Sequence, residues 1–337
     1  MVFSACRFLL LLPLFALGVL KADETTQRLA SVPFAVSNPS PFILIHGLPA
    51  VAPAALLERG ESTLQLQFEL ANHSKRAVAD GESVYLDGET YRTTLIWRRG
   101  LGEGWQVGVE LPLVAHAKGV LDNFIADWHD LFGFTNADRN PWPSNRLFLS
   151  YRRADEPEVE ITHGSVGPGD IRLLASRSLL SDEAGQSLTL NTSFKLPTGN
   201  SDKLRGSGSA GLALWLSADL PELLPRWHIG GYLHAGMLYA GEGDVLPDLQ
   251  RNLIGFGGVG GYWHALTWLT LKCQLDFHSP FYRSDLAQLG RSSYLLSVGG
   301  SIPVAEGRGA VDLAIGENLI NDTIPDFMIN LAYRRRF

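Results

Sequence analysis

The chain has little cysteine, little methionine, no surplus of basic charge and no long apolar run beyond its first twenty residues. Its 337 residues hold two cysteines and three methionines. Cys6 precedes the first apolar run, whereas a lipoprotein cysteine follows one, so lipid anchoring there is excluded. Once that region is removed, Cys273 stands alone and no intrachain disulfide can form. After Leu20 nothing approaches the roughly 20 consecutive apolar residues of a membrane helix, so a membrane can be crossed only by strands that close on themselves. With 28 Lys and Arg against 35 Asp and Glu, nucleic acid is not an expected partner. No phosphate-binding loop, paired-cysteine zinc site or metalloprotease helix occurs, and no cofactor or metal is expected.

What is present begins with an export signal. Arg7 precedes the apolar run from Phe8 to Leu20, and Lys21-Ala22 then gives way to Asp23-Glu24. This is a basic region, an apolar core too short to span a bilayer, and a small residue at a cleavage point near Ala22. Removing residues 1–22 takes away Arg7 and Lys21, leaving 26 basic against 35 acidic side chains, a net charge near −9.

The rest alternates. Leu64, Leu66, Phe68 and Leu70 interleave with Gln65, Gln67 and Glu69. Tyr91, Thr93, Leu95 and Trp97 interleave with Arg92, Thr94 and Arg98, and Trp105, Val107, Val109 and Leu111 follow a glycine-rich turn. The same period of two recurs at 188–195 and 269–277, with further strands near 145–152, 157–163, 169–179, 208–219, 226–239, 250–263, 291–302, 309–317 and 326–337. Such strands have one apolar and one polar face, the signature of an antiparallel transmembrane β-barrel. The count is about 14, with 12 possible. The last strand places Phe327, Ile329, Leu331, Tyr333 and the terminal Phe337 on one face, with Arg335 off the pattern. Tyr333 and Phe337 resemble the signal by which Gram-negative outer-membrane barrels are recognised for assembly.

Connection lengths give a second test. With the last strand running towards the periplasm, residues 72–88, 114–144, 164–168, 197–207, 240–249, 279–290 and 318–325 fall outside. Residues 99–104, 153–156, 180–185, 220–225, 264–266 and 303–308 fall inside. Splitting 145–163 into two strands preserves this parity. Most long connections lie on one side, as in outer-membrane barrels. Trp97, Trp105, Trp227, Trp263, Trp268, Tyr333 and Phe337 sit near strand ends, where an interfacial aromatic girdle belongs.

Two resemblances point the same way. Phe194-Lys-Leu-Pro-Thr-Gly199, followed by Gly206-Ser-Gly208 and a new strand, resembles outer-membrane proteins grouped with the phenol-degradation MetA pathway. Asp122-Asn-Phe-Ile-Ala-Asp-Trp-His-Asp-Leu-Phe-Gly133, with Arg139, Pro143-Ser-Asn145, Asn38-Pro-Ser-Pro41, Gly47-Leu-Pro49, Gly169-Asp170 and Pro325-Asp-Phe327, resembles an uncharacterised Gram-negative barrel family, a domain of unknown function. That resemblance spans most of the mature chain. It implies a barrel and names no substrate or catalytic residue.

Three regions are candidates for function. Residues 23–61 precede the barrel at 62–337, and the Pro- and Ala-rich stretch 31–55 either enters the lumen as a plug, lies on the periplasmic rim or adds a strand. The connection 114–144, long enough for a lid or constriction, carries apolar residues at helical spacing, with Trp128, His129 and Arg139 as constriction candidates. The polar strand faces place Glu69, Arg92, Arg98, Glu110, Lys195, Lys272, Asp276 and His278 in the lumen, together with His228, Tyr232 and His234. Gly255-Phe-Gly-Gly-Val-Gly260 matches a dinucleotide fingerprint but lacks the helix that motif requires, so its glycines are read as part of the wall. The expected protein is a monomeric outer-membrane channel or transporter for a small, hydrophobic molecule. A lipid-modifying enzyme using lumen histidines, or a structural or adhesive barrel, are the alternatives. Expected partners are outer-membrane lipid, the barrel-assembly machinery and an unidentified small molecule.

Overall fold

The computed structural model describes residues 24–119, 146–154, 156–304, 308–318, 323–325 and 327–337. Fifteen strands follow a short helix α1 (Glu24–Ser31) and a single turn α2 (Pro41–Leu44). They are β1 (Ser62–Ala79), β2 (Glu82–Gly102), β3 (Trp105–Ala117), β4 (Phe148–Arg153), β5 (Glu156–Ile161), β6 (Ser165–Pro168), β7 (Arg172–Ser181) and β8 (Ser187–Lys195). After them come β9 (Gly211–Leu224), β10 (Ile229–Ala240), β11 (Leu253–Leu266), β12 (Leu269–His278), β13 (Ser293–Val304), β14 (Gly309–Asn318) and β15 (Phe327–Arg336). No described helix is long and apolar enough to cross a membrane.

Twelve strands, β1 to β3 and β7 to β15, close into an antiparallel barrel. The seam joins the first to the last: β1 pairs with β15 from Thr63↔Arg336 to Asn72↔Phe327. Backbone bonds of 3.1 and 2.9 Å between Ser62 and Phe337 finish it. The end carrying Phe337 is called inner below, and the opposite end outer.

Polarity across the wall is the reverse of a soluble core. On β1, Leu64, Leu66 and Phe68 are exposed while Gln65, Gln67 and Glu69 are 3, 2 and 1% exposed. On β15, Leu331 and Tyr333 point out, and Asn330, Ala332 and Arg334 point in. Cys273 lies exposed on the outer face of β12, between inward Lys272 and Gln274. An apolar exterior suits hydrocarbon, and closure leaves no unpaired strand edge within it. All seven aromatics of the expected girdle are exposed and belong to the inner half of the wall. Arg335 is also outward, its guanidinium 5.1 Å from the Phe337 ring centroid.

The ring has 12 strands, the lower of the two counts expected, and one turn placement needs correction. Segments 145–152 and 157–163 form β4 and β5, which do not cross with the ring. They pair with each other and onto the outer extension of β2, from Glu82↔Arg153 to Asp87↔Phe148. The connection 153–156 therefore lies at the outer end, where the Ala154 N–H donates to the Gly81 carbonyl at 2.8 Å. The expected loop 72–88 is mostly strand as well, because β1 and β2 pair to Ala79↔Glu82 around a two-residue turn. Asp80 and Gly81 have φ of 45° and 79° there, the left-handed pair that an Asp-Gly hairpin supplies. Segment 164–168 is β6, paired with the outer end of β3.

Outward Leu331 gives a direct check on wall polarity. Leu331→Arg is expected to cost roughly 2–4 kcal/mol if it sits near the bilayer midplane. Reversible urea unfolding in lipid vesicles measures it; no loss of stability would mean that β15 does not face lipid.

Candidate functional site: the occupied lumen

A ring of 12 strands encloses more space than its own side chains fill. Residues 29–57 fill it, passing through the lumen twice. The ascending limb starts at the inner end, where the Leu29 carbonyl accepts from Arg334 Nη1 at 2.9 Å. The Val32 carbonyl accepts from Lys272 Nζ at 2.8 Å. Gln274 receives the Phe34 N–H at 3.0 Å and returns a bond to the Phe34 carbonyl at 3.1 Å. Higher up, Gln67 Nε2 donates to the Ala35 carbonyl and Arg92 Nη2 donates to Ser37 Oγ at 2.9 Å. Asn38 Nδ2 donates to His278 Nε2 at 2.9 Å.

At the outer end the chain turns over through residues 41–47. The apolar side chains Phe42, Ile43 and Ile45 pack with Leu204, Leu246, Leu249, Phe281 and Leu289 from the outer connections and with Leu149 and Tyr151 of β4. This cluster occupies the outer end of the lumen. Gly47 (φ 71°) allows the reversal, since a Cβ there would lie 2.6 Å from Lys195 Cδ. The descending limb is then caught by Arg172, whose Nη1 donates to the Leu48 carbonyl at 3.0 Å. Further down, Ala54 donates its N–H to Asp219 Oδ2 at 2.9 Å and its carbonyl accepts from Thr189 Oγ1 at 2.6 Å. Gln106 Oε1 receives the Leu57 N–H at 3.1 Å. Of the three placements open for residues 31–55, the lumen is the one the chain adopts.

Charged wall residues are paired where the plug leaves them. Arg92 binds Glu69, Lys195 binds Asp170 at 2.5 Å, and Asp312 binds both Lys272 at 3.0 Å and Arg334 at 2.8 Å. Glu110 binds Arg172 closely and lies 3.6 Å from Arg98. Buried pairs of this kind cost desolvation that hydrogen bonds to the plug help to offset.

Most of the expected lumen residues are gathered here. Arg92, Arg98, Glu110, Lys195, Tyr232, His234, Lys272, Asp276 and His278 all face inward. Tyr232 donates to Gln274 Oε1 at 2.9 Å, and His234 Nε2 lies 3.8 Å from Asp276 Oδ1. His228 is not among them. It caps a short turn at the inner end with φ 53° and is exposed, so the same-face pairing expected with His234 fails because β10 begins only at Ile229. Trp128, His129 and Arg139 lie outside the described residues. Sequence reasoning missed Asp170, Asp312, Arg334 and His46; the first three stand on polar strand faces or their ends, but His46 sits in a stretch without periodicity.

His46 is fully buried at the apex. Tyr282 spends its proton on the Phe42 carbonyl at 3.0 Å, so His46 Nε2 must donate to Tyr282 Oη at 2.7 Å. Nδ1 is then unprotonated, and no partner meets it. Burial, with Lys195 and His278 nearby, lowers the His46 pKa from 6.5 to about 3. The docked apex thus binds fewer protons than a released one, and docking is weakened as pH falls from 6.5 towards 3 and unaffected above 6.5. Amide exchange across residues 41–47 is expected to accelerate over that window, and His46→Phe to flatten the dependence. Equal acceleration in both proteins would mean that His46 does not govern the apex.

No curated protein matches the chain at a significant level. Among solved structures, the COG4313 outer membrane channel from Pseudomonas putida F1 is similar at TM-score 0.56 and 15% identity, over 85% of this chain and 100% of that one. The NanC porin gives 0.43 at 7% identity over 80% and 97% of the two chains. The P. putida toluene transporter TodX gives 0.35 at 12% over 82% and 89%. The first likeness supports the fold, that of outer-membrane barrels. Residues 9–337 match the family described as protein of unknown function (DUF3187), and the chain belongs to that family.

Proposed function

We propose that this protein is an outer-membrane channel of a Gram-negative bacterium, closed at rest by residues 29–57 and opened when that plug yields. Residues 1–22 would direct export, and the terminal Phe337 with Tyr333 would serve assembly in the lipid bilayer. One observation carries the reading: along both limbs the plug meets the wall through hydrogen bonds to polar and charged side chains. Water can replace each of those bonds at a net cost of about 0.5–1.5 kcal/mol, rising to about 1.5–3 kcal/mol where the wall group is charged. A filler meant to stay would gain more from an apolar wall, whereas this wall remains compatible with a water-filled lumen once the plug withdraws. The largest apolar cluster gathers around Phe42, Ile43 and Ile45 at the apex, at the outer end of the lumen.

The test is conductance in planar bilayers. The intact protein is expected to be closed most of the time, with brief openings. Replacing residues 33–55 with a short Gly/Ser linker is expected to produce a steady open level several times larger in mean current. A replaced protein that still shows the heat-dependent gel shift of a folded barrel, yet conducts no more than the intact one, would defeat the proposal.

A further inference from the structure

The two limbs of the plug are held unequally. Eight wall side chains bond the ascending limb between Leu29 and Asn38: Arg334, His264, Lys272, Gln274, Gln67, Arg92, His278 and Ser293. On the descending limb four do so: Gln106 at Leu57, Thr189 and Asp219 at Ala54, and Arg172 at Leu48. Between Leu48 and Ala54, residues 49–53 read Pro-Ala-Val-Ala-Pro, and no hydrogen bond holds them among the described residues. Both prolines lack an N–H, which leaves this stretch with fewer donors to offer the wall. Small side chains fill its place, with Val51 packed against Tyr232 and Tyr262 and Ala52 at the edge of the larger apolar cluster.

Two voids of about 10 Å³ share Pro49: one lies between the two limbs and the wall, at Val36, Ser37, Asn38, His234 and His278, and the other runs along this stretch beside Ala50, Ala52, Arg98, Glu110 and Arg172. Each has room for about one water. Each also has a buried nitrogen without a partner on its lining residues, Nδ1 of His234 in the first and Nε1 of Trp215 in the second.

We infer that solute passes on one side of the plug only, between residues 49–53 and the wall formed by β2, β3, β7, β8 and β9, and that this path takes small carboxylates. The inference rests on the gated-channel reading and adds where the path runs and what it selects. Arg98 and Arg172 share the single carboxylate of Glu110, which leaves one positive charge uncompensated beside the void. Two guanidinium forks and an unused indole N–H present donors to it, and a planar carboxylate has the acceptors to meet them. The neighbouring Lys195–Asp170 pair is internally neutral. A cation would meet repulsion here, and an apolar solute would have to strip water from the guanidiniums, so the wall favours a small hydrophilic anion over the hydrophobic solute expected from the sequence. Among the described residues Arg98 bonds no plug atom, so it can set selectivity without holding the gate, while Arg172 does both.

The test uses the full protein carrying Cys273→Ser, in planar bilayers. Ala50→Cys on the weak limb is expected to react with a negatively charged methanethiosulfonate and lose current, while Val36→Cys on the ascending limb stays unreacted. In a KCl gradient the openings are expected to be anion-selective, to carry benzoate when it replaces chloride, and to move towards zero reversal potential in Arg98→Gln. Equal reaction at both cysteines, or unchanged selectivity in Arg98→Gln, would overturn the path while leaving a channel that still opens on plug replacement. No current even after that replacement would overturn the gate reading itself. The heat-dependent gel shift confirms folding of each variant, and the cysteine arm remains decisive should Arg98→Gln fail to fold.

Discussion

The pairing of β1 with β15 is the contact on which the rest of the molecule depends. A barrel wall in hydrocarbon must satisfy every backbone group from within, and an open edge of ten residues would leave a row of donors and acceptors facing lipid. Ten residue pairs from Thr63↔Arg336 to Asn72↔Phe327 remove that edge. Closure also fixes where the preceding segment begins. Ser62 is bonded to Phe337 at the inner rim, so residues before it start beside the inner mouth and have an unfilled lumen directly next to them.

What the lumen accepts follows from the inversion of the wall. Lys272, Arg334, Arg92 and Arg172 cannot be buried against an apolar peptide without a severe desolvation cost. A peptide with free carbonyls can offset part of it, and the plug supplies the carbonyls of Leu29, Val32, Gly47 and Leu48 to three of those four cations. Arg92 instead takes Ser37 Oγ. Extended backbone, which keeps its polar groups outward, is therefore the better filling, and helix is confined to α1 at the inner end and a single turn at the apex. Apolar plug residues are gathered mainly where the outer connections supply apolar partners, around Phe42, Ile43 and Ile45, with smaller clusters where Phe34 and Val36 meet Leu295, Ala314 and Met328 and where Val51 meets Tyr232 and Tyr262.

Much of this was legible before any coordinates because the wall obeys a period of two. Gln65, Gln67 and Glu69 against Leu64, Leu66 and Phe68 announce both faces of β1. The same logic over-counted at 145–163, since β4 and β5 alternate like their neighbours, and alternation reports a two-faced sheet without saying whether lipid or another sheet segment covers a face. It under-extended β1 and β2, although Asp80-Gly81 was the readable hairpin signal. His228 was misplaced because strand boundaries are set by turn geometry, here a left-handed residue at φ 53°, which alternation cannot see. The plug left no periodic trace at all. Its partners are scattered over β1, β2, β7 to β9, β12 and β15, and apart from the turn at the apex a segment bonded mainly to distant strands carries no local pattern.

Those scattered partners also set how firmly the plug can be held. Each bond between plug and wall is individually weak against water, yet the segment is covalently joined to β1, which keeps its effective concentration at the lumen high and makes many weak bonds sufficient for closure. The partners Lys272, Gln274 and Arg334 belong to strands late in the chain, so the plug cannot complete its bonds until the barrel is nearly formed. Docking is thus a late step that depends on the wall, whereas the wall's own ladder needs nothing from the plug. An element that the scaffold does not require, held by replaceable bonds and tethered beside the opening it fills, has the physical properties of a reversible closure.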